Sequence, residues 1–327
     1  MKREQMMERL NDLDVGERLP VWVISYQRPG TAPLLNMMKT WGTAGDVNVL
    51  VRDSQLKAYE AAYPELRIHS LPDEEINSCG GARWGAAMLA YDLGQDTIIQ
   101  MDDDVLKLDF LYEGHIGSGP NAGTECSRLT SMKDRKEMPD LDERILAGFS
   151  AVAARVLEDH PEAMLGGMIK RHMSFSEKNH RTMYVLNGGV TPRQVMVYAI
   201  DRMLAHGVYM PPEFYVHGED IGMNAKVLAE GGACWATPSF AYDHWPEAIN
   251  IHESTIRSVE TAAAMHAEEW DNLQSYPIKD YLRSKRSLVD GSPTWNDVAW
   301  AKYARLTGRP PVRVEWEGVE GDPLDLI

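Results

Sequence analysis

Three aspartates in a row, Asp102, Asp103 and Asp104, directly follow the apolar run Thr97–Met101. Adjacent carboxylates repel one another, and at the end of a core strand they are costly unless a cation offsets them. Mg²⁺ or Mn²⁺ does this well, because a hard divalent ion takes oxygen ligands and favours one or two carboxylates together with substrate phosphates. Along an extended chain Asp102 and Asp104 face the same side, so these two are the expected metal ligands. A solvated loop, or a helix cap at Asp104, would use the same residues without chemistry. A second pattern lies further on: His217-Gly218-Glu219, with a distant His244 or His252. It fits the two-histidine, one-carboxylate arrangement of iron oxygenases, here an Fe(II)/2-oxoglutarate enzyme using His217, Glu219 and His244. That chemistry usually sits on an all-β frame and leaves the three aspartates unexplained.

The segments that must position these residues alternate. Leu19–Ser25 reads as a strand ending at the turn Arg28-Pro29-Gly30, and Thr31–Trp41 as a helix. Val47–Val51 is a second strand, Leu56–Tyr63 a helix and Leu66–Leu71 a third strand. Gly81–Leu93 is a helix with an apolar stripe, and Thr97–Met101 is the fourth strand. Strands apolar on both faces, alternating with helices, predict an α/β fold with a mainly parallel, Rossmann-like sheet flanked by helices. Ligands of such sheets bind at the carboxyl ends of the strands, which is where Asp102–Asp104 fall. Residues 1–14 read as a leading helix. Residues 111–140, poor in apolar spacing and with four glycines before residue 124, read as a surface loop or as a lid beside the metal. Trp295–Arg305 reads as an amphipathic helix. The expected organisation is one catalytic domain over residues 1–250 and a helical extension over 251–327 packed on it.

The chain has 327 residues and a formal net charge of −16. That charge speaks against a general nucleic-acid binder, though not against a local basic face. Two stretches could form one: residues 170–181, with Lys170, Arg171, His172, Lys178, His180 and Arg181, and residues 279–286, with Lys279, Arg283, Lys285 and Arg286. The three cysteines, Cys79, Cys126 and Cys234, are far apart and read as free thiols. No apolar run approaches the ~20 residues that span a bilayer, and the charged N-terminus lacks the apolar core of a secretory signal. A cytoplasmic enzyme is expected, in the host cytoplasm if phage-encoded.

The order of these motifs resembles the GT-A glycosyltransferases, particularly the family-2-like group, over roughly residues 19–245. The resemblance is carried by Ser25-Tyr26-Gln27-Arg28-Pro29, by Arg52-Asp53-Ser54, and by Asn77 to Gly85, with Trp84 where asparagine is usual. Asp102–Asp104, Leu186–Val190, and His217 to Gly222 with its Gly-Glu-Asp follow in order. It implies a metal-dependent transfer of a sugar from a nucleotide-sugar, by default a UDP-sugar, to an acceptor hydroxyl. Ser25, Arg28 and Asp53 would then surround the nucleotide. Arg83 would approach the diphosphate or the base, and Asp103, Gly188 and Gly189 would also lie along the donor. Asp102 and Asp104 would hold Mn²⁺ or Mg²⁺, with His244 as a late ligand and His252 in reserve. Asp220, or else Glu219, would be the general base, and a base separate from the metal carboxylates implies inversion at the sugar carbon.

More faintly, WVISYQRP, MDDD and HGED resemble the phage glycosyltransferases found beside base-oxidising dioxygenases. That resemblance implies 5-hydroxymethylpyrimidine in DNA as acceptor. A polysaccharide or small-molecule acceptor is the alternative. A sugar-phosphate nucleotidyltransferase fits less well, because a glycine-rich basic loop after the first strand is missing.

Overall fold

A computed structural model describes residues 1–115, 117–118, 122–170, 180, 182–186, 194–210, 219–244, 318–320 and 324. A leading helix α1 (Arg3–Asp12) is followed by the expected alternation: β1 (Val21–Ile24), α2 (Pro33–Met38), β2 (Val47–Arg52), α3 (Leu56–Ala62), β3 (Arg67–Leu71), α4 (Cys79–Asp92) and β4 (Thr97–Asp102). Next come β5 (Val105–His115), β6 (Glu125–Leu129), α5 (Met132–Glu137), α6 (Leu141–Asp159), β7 (Ala163–Lys170), β8 (Thr182–Leu186) and β9 (Val195–Ala199). The remaining elements are α7 (Ile200–Ala205), α8 (Glu219–Ala229), β10 (Ala233–His244) and β11 (Gly318–Glu320). Among the described residues no helix is long and apolar enough to cross a membrane.

The sheet runs in the order β11-β8-β10-β7-β9-β4-β1-β2-β3. Strands β3, β2, β1 and β4 are mutually parallel, and β7 is parallel to β10. β9 runs antiparallel between β4 and β7, so all six of those strands point the same way. Their carboxyl ends therefore share one edge. Both faces are covered, which is why the strands read as continuous apolar runs rather than alternating ones. One core joins Val21, Val23, Val49, Ile99 and Met101 to α1, α2, α3 and α6. The opposite core joins Trp22, Leu50, Ile98 and Tyr198 to α4, α7 and α8.

Residues 111–140 are not a lid loop. β5 extends to His115 and pairs with β6 in an antiparallel hairpin, and α5 follows with Ser131 capping it. The sequence masks this because β6 has no fully buried residue, and Gly117, Gly119 and Gly123 stand between the two strands in sequence. β5 also pairs with the far half of β10, past a register shift between Thr237 and Ala241. The C-terminal residues 318–320 add β11 to the edge of β8, and Leu324 is buried in the main core. The remainder of residues 245–327 lies outside the described residues. So do the expected domain boundary at 250, the helix over 295–305, and nearly all of both basic stretches.

Gly166 of β7 sits beneath the indole of Trp235 on β10, its register partner. A Cβ there would lie 1.9 Å from Cε2 of that ring, which is itself buried against Phe149. Neither strand can move without breaking the ladder. Gly166→Ala should therefore cost stability at the upper end of the ~1–3 kcal/mol typical of overpacking. Urea unfolding checks this as a lower midpoint at unchanged slope; a wild-type midpoint would mean that Trp235 can rotate away.

Candidate active site

The carboxyl ends of β1, β4, β7 and β10 gather the polar residues of the chain's centre. The three aspartates stand at the end of β4 and in the turn after it. Asp102 closes β4, and Asp103 and Asp104 begin the turn into β5, with both buried. The chain after β1 is folded back by Gln27, the one described non-glycine residue with positive φ, at 55°. A side chain rarely takes this conformation outside a constrained turn. The turn is held by Tyr59 of α3: its hydroxyl accepts from Arg28 N at 2.9 Å and lies 2.7 Å from Ser25 Oγ. Ser25 Oγ and the Arg28 guanidinium both donate to Asp103. Ser25 and Arg28, expected near the nucleotide, are thus joined to Asp103 in one buried network. Asp53 stands at the carboxyl end of the adjacent strand β2, exposed, in the turn whose Gln55 accepts from Gln27 N.

Arg83 lies one turn into α4, which Ser78 rather than Asn77 caps through its hydroxyl. Gly81 is needed there, since a Cβ would come 2.9 Å from Glu75 O. Only 2% of Arg83 is exposed. Its Nη2 lies 2.8 Å from the Asp102 carboxylate and its Nε 3.2 Å from Oε1 of Glu219, the first residue of α8. Cys79 Sγ is 3.3 Å from the same Glu219 oxygen. Arg83 therefore bridges the two acidic motifs, which are more than a hundred residues apart in sequence. Asp220 is half-buried beside Glu219. On the other flank Gln194 Nε2 donates to Asp104 Oδ1 at 2.8 Å, and Lys170 Nζ lies 2.9 Å from His244 Nε2. Gln194 and Tyr59 stand in no motif and Lys170 is read from sequence only as part of a basic stretch; the packing of the fold brings them here.

Burial raises the Asp102 carboxyl well above its usual range; Arg83 opposes this, while Asp104, Glu219 and Asp103 add to it. Burial likewise raises Asp104, against Arg28, His244 and Arg83. Asp103 is pushed up to about 6 by burial, with Arg28 and Ser25 pulling the other way. Among the described residues the acids at this edge outnumber the guanidinium groups that meet them, those of Arg28 and Arg83. Among the described residues no three His, Cys, Asp or Glu side chains are already gathered to hold an ion. A nucleotide-bound Mg²⁺ or Mn²⁺ does not require three, because phosphates and water complete its sphere. Asp102 and Asp104 offer the oxygen donors that such an ion takes, and His244 pairs in register with Val105, the residue after Asp104. Gly188, Gly189, His217 and His252 lie outside the described residues. The iron-oxygenase pattern loses its frame as well: Glu219 is held by Arg83 on a helix of an α/β fold, not on an all-β one.

Two solved structures are similar in part. One is mannose-1-phosphate geranyltransferase from Thermus thermophilus, at 12% identity and a TM-score of 0.31, covering 66% of this chain and 65% of that chain. The other is mannose-6-phosphate isomerase from Helicobacter pylori, at 7% identity and a TM-score of 0.30, covering 72% of this chain and 90% of that chain. The chain thus spans just under two thirds of the first structure's length. No curated protein matches the chain. Residues 19–131, from β1 through β6 and including Ser25, Arg28, Arg83 and all three aspartates, match the model of the family TET-Associated Glycosyltransferase.

Proposed function

We propose that the protein transfers a sugar from a UDP-sugar to an acceptor hydroxyl in a metal-dependent, inverting reaction. The observation that supports this best is the buried excess of acid at the carboxyl end of β4, where Asp102 and Asp104 stand with raised carboxyls. In this reading Asp102, Asp104 and His244 hold Mn²⁺ or Mg²⁺. A bound divalent ion would neutralise the charge that develops on the leaving diphosphate. Arg28, Ser25 and Asp103 fix the turn that faces the nucleotide, with Asp53 beside it. Arg83 holds Asp102 and α8 in register rather than lying open to the diphosphate. Asp220 takes the acceptor proton, leaving Glu219 as the anchor of α8 on Arg83.

The acceptor in this proposal is 5-hydroxymethylpyrimidine in DNA. The matched family's description as TET-associated supports it, together with the resemblance to glycosyltransferases found beside base-oxidising dioxygenases. Such a base has to leave the stack to reach a site at the sheet edge.

The test is a thermal-shift panel of nucleotide-sugars with and without Mn²⁺, on wild type and on the double variant Asp102→Ala, Asp104→Ala. At about 100-fold excess over Kd, a ligand confined to the folded state adds roughly 2.7 kcal/mol. The expected result is stabilisation by a UDP-sugar that requires Mn²⁺ and disappears in the double variant. Stabilisation that persists in the double variant, or that ignores Mn²⁺, would remove the metal from the reading. Transfer of label from the selected donor to hydroxymethylated but not unmodified DNA then tests the acceptor.

A further inference from the structure

The chain between β1 and α2 turns at Gln27, whose φ of 55° is rare for a residue with a side chain. Such a conformation persists only where the surroundings fix it. Here two buried tyrosines do so: Tyr59 on α3, and Tyr63 one turn later at the end of that helix. The Tyr59 hydroxyl meets Ser25 and Arg28, the residues on either side of the turn. The Tyr63 hydroxyl accepts from Ala32 N at 3.2 Å and donates to Arg28 O at 3.5 Å, which closes the far side of the loop.

The direction of the Tyr59 contacts follows from Asp103. A carboxylate beside the Arg28 guanidinium only accepts, so Ser25 Oγ gives its single proton to Asp103. Ser25 Oγ must then accept from Tyr59, 2.7 Å away, while the Tyr59 oxygen accepts the Arg28 amide proton at 2.9 Å. The protons run one way, from Tyr59 to Ser25 to Asp103, and bonds in such a chain polarise one another. A phenylalanine would fill the same space without the cost of burying a hydroxyl, a cost that hydrogen bonds have to offset. Tyr59 is itself fully buried, so any effect it has on a ligand passes through the two residues it holds.

We propose that Tyr59 is a positioning residue for the donor nucleotide. It sets the Ser25 hydroxyl and the Arg28 main chain from behind, so that the loop has its ligand-bound form before the nucleotide arrives. A loop already in that form avoids the ordering cost that a loose one would incur on binding. The inference rests on the reading of Ser25 and Arg28 as residues that face the nucleotide. It assigns to the site a tyrosine from a helix that carries no motif.

The experiment is a double-mutant cycle on the full-length chain, read as UDP affinity by calorimetry with Mn²⁺ present, beside kcat and donor KM. Tyr59→Phe and Ser25→Ala should each weaken UDP binding about tenfold, the scale of one hydrogen bond. The two together should also cost about tenfold, since either change breaks the same chain. Donor KM should rise in step while kcat changes little. If Tyr59→Phe alone does not fold, the same comparison in a Gln27→Gly background keeps the test open, because glycine takes the turn without strain. Unchanged UDP affinity in Tyr59→Phe overturns the proposal. So does a loss of about a hundredfold in the double variant, which would mean that the two residues act independently, or a fall in kcat at unchanged KM. If wild type does not bind UDP, the nucleotide reading fails and takes this proposal with it. If wild type binds UDP and Tyr59→Phe is indifferent, the nucleotide reading stands and the role of Tyr59 alone falls.

Discussion

Asp220→Asn is expected to lower the rate of sugar transfer about 10²- to 10⁴-fold, the span that a positioned general base contributes. UDP and Mn²⁺ affinities should stay at wild-type values. In the proposed reaction the acceptor hydroxyl must lose its proton as it attacks, and Asp102 and Asp104 would be poor recipients once a divalent ion is bound to them. Of the two acids that open α8, Glu219 is already engaged, with Arg83 Nε 3.2 Å and Cys79 Sγ 3.3 Å from one oxygen. A neighbouring cation favours the ionised form of a carboxylate and so weakens it as a base. Asp220, next along the first turn and half-buried, is the acid that the Gly-Glu-Asp resemblance gives as the base. Steady-state measurement of kcat and KM on Asp220→Asn and Glu219→Gln separates the two. The reading holds if kcat falls steeply in the first and less in the second. A reversed order would move the base to Glu219.

The path from sequence to site is clearest where one strand carries its own signal. The run Thr97–Met101 ends in Asp102, and the strand forms over those residues with its acids at the carboxyl edge, because apolar β-rich residues between two helical layers have one place to go. The same logic places Ser25 and Arg28 at the end of β1. Partnership across the sheet is not legible in this way. Asp103 groups with the donor by its motif, yet its carboxylate is taken by Arg28 and Ser25, a pairing set by the αL turn at Gln27. Arg83 is expected at the diphosphate, and the fold instead buries it between Asp102 and Glu219, since α4 and α8 pack on the same face. Lys170 and Gln194 are invisible for the same reason: contacts between β7, β9 and β10 depend on strand order, and period and composition are silent about order. The hairpin of β5 and β6 escapes because its alternation is interrupted by glycine and by charged residues.

Arg83→Met should destabilise the fold by about 3–5 kcal/mol, the cost of leaving a buried charge uncompensated. Methionine retains much of the length of the side chain, and Gln100 Nε2 can still donate to the main-chain oxygen of residue 83, so packing alone would cost far less. The loss is electrostatic. Asp102 and Glu219 would face one another, with Asp103 and Asp104 adjacent, and the shared guanidinium would be gone. Two consequences follow that a packing defect would not produce. Adding Asp102→Asn and Glu219→Gln to Arg83→Met should restore much of the stability, since the neutral groups no longer repel and can still hydrogen-bond. Mn²⁺ should also stabilise Arg83→Met more than it stabilises wild type, because the ion then supplies charge that the protein has lost. Urea unfolding with and without Mn²⁺ measures both. A single variant within about 1 kcal/mol of wild type, or a triple variant less stable than the single one, would show that Arg83 does not hold these acids together.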